Sequence, residues 1–338
     1  MPELSPLWIS EAEVVALMDI GEAITSLEKG LLAEARGQAQ NMVKTHVAWR
    51  NDSTLHALGA TFPAEGFAGT KTWAHTAGGA APLLILFDSE TGALKAIIEA
   101  FALGQLRTAS ASGVATDWLA GKGADDFAII GTGKQALAQV AAVLAVRPVK
   151  RIRVFGRNEE RRANFAERVK KEFQLETMAC CSVAATVSGA SIITTVTRAT
   201  EPVIFADMIA KGTHINTIGA IVPSRAEVAL DVLARCSQIV VDSVPQAQKL
   251  SRELMDFFGA SDKEGWQRVK SLAELVSAGE PRDANGDLTL FKSLGMGISD
   301  LALGMELYHN ARAQGLGREF APPQRTTLRL STIRKVTG

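Results

Sequence analysis

The chain has 338 residues, 36 Lys+Arg against 36 Asp+Glu and therefore a formal net charge of zero. Apolar residues make up 47% and charged residues 21%, enough apolar side chain to bury a sizeable core and to exclude a disordered chain. The charge balance argues against nucleic acid or a membrane surface as a partner held by bulk charge, while leaving room for a local anion pocket.

The length suggests two domains. The N-terminus MPELSPLWISEAEV has no basic start and no apolar core of a leader, and no run of 18 apolar residues occurs. The expected address is the cytoplasm. Cys180, Cys181 and Cys236 are too few and too scattered for a disulfide framework or a Cys-rich metal site. No H-E-x-x-H or paired Cys/His spacing occurs, so no metal is expected, and no G-x-S-x-G marks a nucleophilic serine.

Residues 10–38 read as one helix. Ser10 precedes Glu11 and Glu13, and Val14, Leu17, Met18, Ile24, Leu27 and Leu31 keep helical spacing up to Gly37. Residues 41–100 break into short runs separated by turn signals such as Asn51-Asp52 and Thr91-Gly92. That is the pattern of a small, mostly antiparallel sheet with a hairpin around Asp88–Gly92. From residue 103 the period changes. An Ala-rich helix is followed by apolar strands alternating with helices, which implies a parallel sheet covered on both faces. Arg161, Arg162, Lys170 and Lys171 alternate with acids at helical spacing and read as a solvated helix face. After residue 290 a loop leads into a long helix, and the tail is broken by Pro322 and Pro323.

The most informative local pattern is Gly131-Thr132-Gly133-Lys134-Gln135-Ala136, a G-x-G-x-x-A turn directly after a strand and opening a helix. Gly131 permits the tight turn, Gly133 lets the backbone approach a pyrophosphate, and Ala136 lets the helix pack on the strand. The helix N-terminus offers free N–H groups to phosphate. The next strand ends in Phe155-Gly156-Arg157-Asn158, with no acid for the ribose hydroxyls. Arg157 suits a 2′-phosphate, so NADPH is favoured and NADH is the alternative. The competing reading makes Arg157 a solvated residue at the start of a helix.

Together with Leu106-Arg107-Thr108-Ala109, Val196 to Pro202, His214 to Ala220 and Phe291 to Met296, that turn resembles the ornithine cyclodeaminase/mu-crystallin family. The resemblance runs from the hairpin near residue 85 to the helix ending near residue 312. It implies an α/β protein in two domains. Residues 1–118 and 306–338 would form a smaller α+β substrate-binding and dimerisation domain, and residues 119–305 a Rossmann doubly wound domain. It also implies a homodimer, a small imino or amino acid as substrate, and hydride exchange between a nicotinamide and the carbon bearing nitrogen.

By the same resemblance Arg107 clamps the substrate carboxylate and Lys71 assists proton movement. Lys44 stands where the family has a second Arg. Apart from the resemblance, in a segment shorter than the family's, Trp73 and His75 are candidates to line the substrate pocket, and His75 is the one histidine considered for proton transfer. Ile221 stands where the cyclodeaminase branch carries an Asp. An isoleucine neither binds an ammonium nor activates water, so reduction of 2-imino acids or cyclic ketimines is expected rather than ornithine cyclodeamination. An alanine dehydrogenase-like activity and a mu-crystallin-like binding protein are the alternatives. On the cofactor side the expected contacts are Thr108, Gly131, Thr132, Gly133, Gln135, Ala136, Arg157, Asn158, Thr195, Val196, Thr197, Asn216, Ile218, Gly219, Phe291, Lys292 and Gly295.

Overall fold

The structure, a computed structural model, describes residues 4–49, 53–259, 262–280, 282–283 and 285–330. Strand β1 (Leu7–Ile9) leads into α1 (Glu11–Leu17) and α2 (Ile20–Ala35). The single helix expected over 10–38 is therefore two. The break has a local cause. Asp19 accepts the Glu22 N–H at 2.8 Å while the Glu22 carboxylate accepts the Asp19 N–H at 2.9 Å, a second capping box inside the apolar pattern. Met18 before it is extended.

The strands β2 (Gln40–Asn41), β3 (Thr45–Trp49), β4 (Ser53–Phe62), β5 (Phe67–Thr76), β6 (Gly79–Ala80), β7 (Leu83–Asp88) and β8 (Leu94–Glu99) follow as expected for an antiparallel sheet. The Asn51-Asp52 turn lies outside the described residues. The β7–β8 hairpin is fixed by Asp88, whose Oδ1 accepts the Glu90 and Thr91 amides at 3.1 and 2.8 Å. Alternation sets two faces. Leu58, Lys71 and Leu84 lie opposite one another on β4, β5 and β7 and point to the core side. Val47, Trp49 and Leu55 point to the other side and are exposed.

Helix α3 (Phe101–Leu119) carries Ala109, Ser110, Ala111, Ser112, Gly113 and Ala115 in its buried stretch. Such small side chains let α2 and α4 (Ala136–Val146), the first helix of the parallel domain, both approach closely, and Gly113 lies against Ile24 of the one and Ala142 of the other. That domain continues through β9 (Asp126–Ile130), which precedes α4, then β10 (Arg151–Phe155), α5 (Glu159–Phe173), β11 (Glu176–Ala179), α6 (Val183–Val187), β12 (Ile192–Thr195) and β13 (His214–Thr217). It is completed by α7 (Leu230–Arg235), β14 (Cys236–Val241), α8 (Val244–Leu250), α9 (Arg252–Phe258), α10 (Lys263–Gln267), β15 (Val269–Ser271), α11 (Leu272–Ala278) and β16 (Leu288–Lys292).

The eight strands are all parallel, in the order β11-β10-β9-β12-β13-β16-β14-β15. Strand order reverses between β9 and β12, and a doubly wound sheet opens its ligand crevice there, at the strand carboxyl ends. The chain then returns through α12 (Gly297–Gln314) to the first sheet, where β17 (Arg318–Glu319) pairs antiparallel with β1. Helix α12 lies on the core face of the first sheet against β4, β5 and β7. The boundary expected between residues 305 and 306 falls inside this continuous helix. Residues 321–330 are exposed and without regular structure. No helix among the described residues is long and apolar enough to cross a membrane.

Candidate active site

The dinucleotide end of the crevice is built from the glycine turn after β9. Gly131 has φ +116°, a conformation open to glycine, and its N–H donates to the Phe155 carbonyl at 2.8 Å. A Cβ there would come within 2.5 Å of the Val196 carbonyl oxygen, so the loops after β9 and β12 meet only because residue 131 lacks one. A Cβ at Gly133 would point into open space. The turn is thus tight on its inner side and clear on its outer side, beside the first N–H groups of α4, and this fits a pyrophosphate. Ala136 is buried at the start of α4, while Thr132 and Gln135 stay partly accessible around the turn.

At the tip of β10 the exposed Arg157 pairs with no acid among the described residues. Asn158 caps α5, its Oδ1 accepting the Arg161 N–H at 2.8 Å, so that side chain is committed to the helix. Arg162, read in the sequence as part of a solvated helix face, instead turns back to the same strand end. Arg162 Nη1 donates to the Gly156 carbonyl at 3.0 Å and the group sits over the Phe155 ring at 5.8 Å.

At the ends of β12 and β13 the central group is Glu227, fully buried and unsuspected in the sequence. Its Oε1 accepts the Thr197 amide and hydroxyl at 2.7 and 2.8 Å, and its Oε2 accepts the Gly219 and Ala220 amides at 2.7 and 3.2 Å. One carboxylate thereby ties together two of the loops that floor the crevice. Thr195 is buried, its hydroxyl without a partner among the described residues, and Val196 backs onto Gly131. Ile218 is buried in the core between the domains. Thr108 is also buried, and its hydroxyl donates to the Gly104 carbonyl at 2.8 Å.

Besides Asn158 and Ile218, three further expected cofactor contacts are not brought to the crevice by their side chains. Asn216 turns into the interior, donating to Thr116 Oγ1 at 2.9 Å and pairing its Oδ1 with His214 Nε2 at 3.0 Å. Phe291 is fully buried in the apolar core. Lys292 is buried against Glu253, 3.1 Å from Nζ to Oε1. The physical reason is shared: all three lie within strands of a sheet covered on both faces, where an inward side chain is consumed by packing or pairing.

The substrate end is cationic. Lys71, in the middle of β5, is 3% exposed, and its Nζ donates to Asp300 Oδ1 in the first turn of α12. Arg107 Nε lies 3.6 Å from the same oxygen. Lys44, half-buried on the segment before β3, feels both Arg107 and Lys71. Burial, and then Arg107, lower the Lys71 pKa to about 8, with Asp300 acting in the opposite sense. Burial and Arg107 also lower the pKa of Lys44. The structure thus gathers Lys44, Lys71 and Arg107 at one place.

Trp73 shares the Lys71 face of β5, with Lys71 Nζ 5.4 Å from its ring centroid. His56 stacks on that ring at 4.7 Å, and His46 stacks on His56 at 5.6 Å. Burial and Lys44 push the His56 pKa down to about 4, so its ring is neutral at ordinary pH. His75 shares the face but is exposed, and four residues of strand put it about 13 Å from Lys71. That is too far for direct proton exchange with Lys71. Ile221 sits half-buried in the loop after β13.

Gly295 closes the site behind Arg107. It has φ +93°, and a Cβ there would lie 3.0 Å from Arg107 Nη1. Its amide, with that of Leu294 and the Ser293 hydroxyl, is held by the buried Asp242 carboxylate at 2.6, 2.7 and 3.1 Å. Gly295→Ala is expected to strain the turn and displace the guanidinium, raising KM for a carboxylate substrate about tenfold at unchanged cofactor affinity. Steady-state kinetics with cofactor titration checks this.

Asp300 and Asp242 were also missed by sequence reading. Each had a signal. Asp300 is a lone acid in the apolar run Gly297-Ile-Ser-Asp-Leu-Ala-Leu-Gly304, and Asp242 ends an apolar strand at its carboxyl edge. Fold and site together define an α/β protein in which one sheet domain carries a glycine turn of the dinucleotide-binding kind and the other gathers Lys44, Lys71 and Arg107 about the buried Asp300. The sequence profile of the ornithine cyclodeaminase/mu-crystallin family matches residues 6–315. The chain belongs to that family.

It is 32% identical over 244 residues to a Delta(1)-pyrroline-2-carboxylate reductase of Bacillus cereus, covering 70% of this chain and 73% of that one. The structure of Thermococcus litoralis Delta(1)-pyrroline-2-carboxylate reductase in complex with NADH and L-proline superposes with a TM-score of 0.86 at 28% identity, over 93% of this chain and 100% of that one. An archaeal alanine dehydrogenase dimer with bound NAD also gives 0.86, at 26% identity, over 94% and 99%.

Proposed function

We propose that this protein is an NAD(P)H-dependent reductase of 2-imino acids and cyclic ketimines of the pyrroline-2-carboxylate type. The observation that carries it is the gathering of Lys44, Lys71 and Arg107 about the buried Asp300, in a chain that also carries the dinucleotide turn. The likeness to pyrroline-2-carboxylate reductases supports it. When bound, the nicotinamide supplies the hydride, so that imine, NAD(P)H and one proton give amino acid and NAD(P)+.

The residues of this chain do the rest. Arg107 presents the edge of its guanidinium away from Asp300 to the substrate carboxylate, and Lys44 adds a point charge. The carboxylate fixes the imine carbon in place, converting binding into orientation. Lys71 donates to the imine nitrogen and keeps it protonated, which makes its carbon the better electrophile. Ile221 leaves the tail side of the pocket without an acid, so the substrate tail is apolar or uncharged. Purified protein mixed with NADPH and pyrroline-2-carboxylate is expected to consume NADPH, read by absorbance. Tight NADPH binding with no turnover of any cyclic imine, or of any oxo acid with an amine, would instead make this a binding protein.

The full-length likeness to an alanine dehydrogenase favours a second reading, oxidation of a simple amino acid in the same pocket. Lys71 would then work as the neutral amine, and the rate would rise with pH through about 8.

NADPH is the preferred cofactor in this proposal, because Arg157 and Arg162 stand together at the tip of β10, where the sequence places no acid. Arg157→Ala is expected to raise KM for NADPH about tenfold and leave that for NADH unchanged, the cost of a charged contact to a 2′-phosphate. Equal effects on both cofactors would contradict it. The protein is a homodimer in this reading. The exposed Val47, Trp49 and Leu55 form an apolar patch on the outer face of the first sheet, the surface a second copy would cover. A cytoplasmic address goes with it, since Cys180, Cys181 and Cys236 are free thiols.

A further inference from the structure

We propose that Asp300 is the positioning residue of this site: its one buried carboxylate holds Lys71 charged and aimed, and faces Arg107 Nε at 3.6 Å as an ion-pair partner without a hydrogen bond. The functional half of this inference rests on the imine-reductase reading. The titration of Lys71 does not.

Three observations converge. Among the described residues Asp300 is the one hydrogen-bond partner of Lys71 Nζ, so two of its three N–H donors are left for a ligand. Asp300 is 0% exposed, and only its Oδ1 is engaged, by both cations; Oδ2 is buried without a partner among the described residues. Finally, the carboxylate sits in the first turn of an 18-residue helix, where the partial positive charge of the free amides favours the anion.

The charges facing Lys71 come from three elements. Arg107 on α3 and Lys44 before β3 disfavour its proton, as does burial, and Asp300 on α12 favours it. Asp242, at the end of β14, acts on Arg107 and Lys44 from behind. Among the described residues Asp300 is the only anion in contact with Lys71. Without its charge the ammonium would sit buried beside two other cations and would lose its proton near neutrality. The same loss would remove the ion-pair partner of Arg107 Nε, so proton store and carboxylate fork would fail together. An ordinary structural ion pair would not couple these two functions.

The test compares wild type, Asp300→Asn and Asp300→Glu. The reactivity of Lys71 toward an amine-acylating reagent is followed by mass spectrometry across pH, without substrate. In Asp300→Asn the titration is expected to move down by about one pH unit or more, and in Asp300→Glu to return close to wild type. The alkaline limb of kcat/KM is expected to move with it, giving about a fivefold loss or more at pH 8, with NADPH affinity unchanged. Asp300→Ser removes the charge in a second way and carries the same expectation if the Asn variant does not fold.

A neutral variant whose Lys71 titrates as in wild type, with only a lower melting temperature, would overturn the proposal. So would an Asp300→Glu variant that titrates like the neutral ones. Absence of turnover in wild type would count against the imine-reductase reading alone, because the lysine titration would still be read.

Discussion

Replacing Lys71 with methionine is expected to lower kcat about 10³-fold while leaving NADPH affinity within about twofold of wild type. Lys71 lies on β5 in the first domain, and the cradle at Gly131–Ala136 lies in the other. The variant therefore loses the donor to the imine nitrogen without touching the phosphate turn. Methionine fills the space, but Asp300 keeps only its 3.6 Å approach to Arg107 Nε, so stability falls by about 3 kcal/mol, the cost of breaking a buried pair. Single-turnover kinetics, cofactor fluorescence titration and thermal melting separate the three effects. The pH dependence has a definite sign. Reduction needs the ammonium, whose pKa is lowered to about 8, so kcat/KM for an imine falls as pH rises through that value. The methionine variant should lose this limb. Equal losses in turnover and cofactor affinity would contradict the role given to Lys71.

Arg107→Lys is expected to cost about 10²-fold in kcat/KM although the charge is kept. The guanidinium faces the buried Asp300 with Nε at 3.6 Å, and the absence of a Cβ at Gly295 leaves room for its Nη1. A lysine offers one point charge on a flexible stem, and it would compete with Lys71 for Asp300. The loss should appear both in KM, from weaker carboxylate binding, and in kcat, from poorer aim at the imine carbon. A carboxylate lacking the imine, such as L-proline, should bind less well in parallel. Titration of L-proline against the NADPH complex checks this. Unchanged L-proline binding would sink the assignment of Arg107 as the carboxylate clamp.

Much of this site is legible in the sequence. Gly131 and Gly133 announce themselves because a φ of +116° and a clear approach to phosphate both demand glycine in a fixed order after a strand. Arg107 stands out as a charge on an Ala-rich helix, whereas Lys71, between Thr70 and Thr72, is found only through the family resemblance. What the sequence does not yield is the other half of each interaction. Asp300 lies 229 residues from Lys71, and Glu227 ties loops that begin at residues 196 and 218. Periodicity reports local geometry and carries no information on such pairings.

The same limit explains the overreach at Asn216, Phe291 and Lys292. They sit close to strand ends in sequence, and register in the parallel sheet decides whether a side chain meets ligand or core. Asn216 pairs with Phe291 and Thr217 with Lys292, the last two pairs of the ladder, yet all four residues are buried. The extra cap at Asp19 shows the opposite case, a signal present in four residues but overridden by a longer apolar pattern.

The route of the chain between the domains has a mechanical consequence. It enters the parallel-sheet domain through α3 and leaves it through α12, and both helices are buried in the core of the first domain. Two stiff struts side by side resist sliding and twisting far more than one flexible tether does. Any relative movement of the two sheets would have to bend or slide both helices at once.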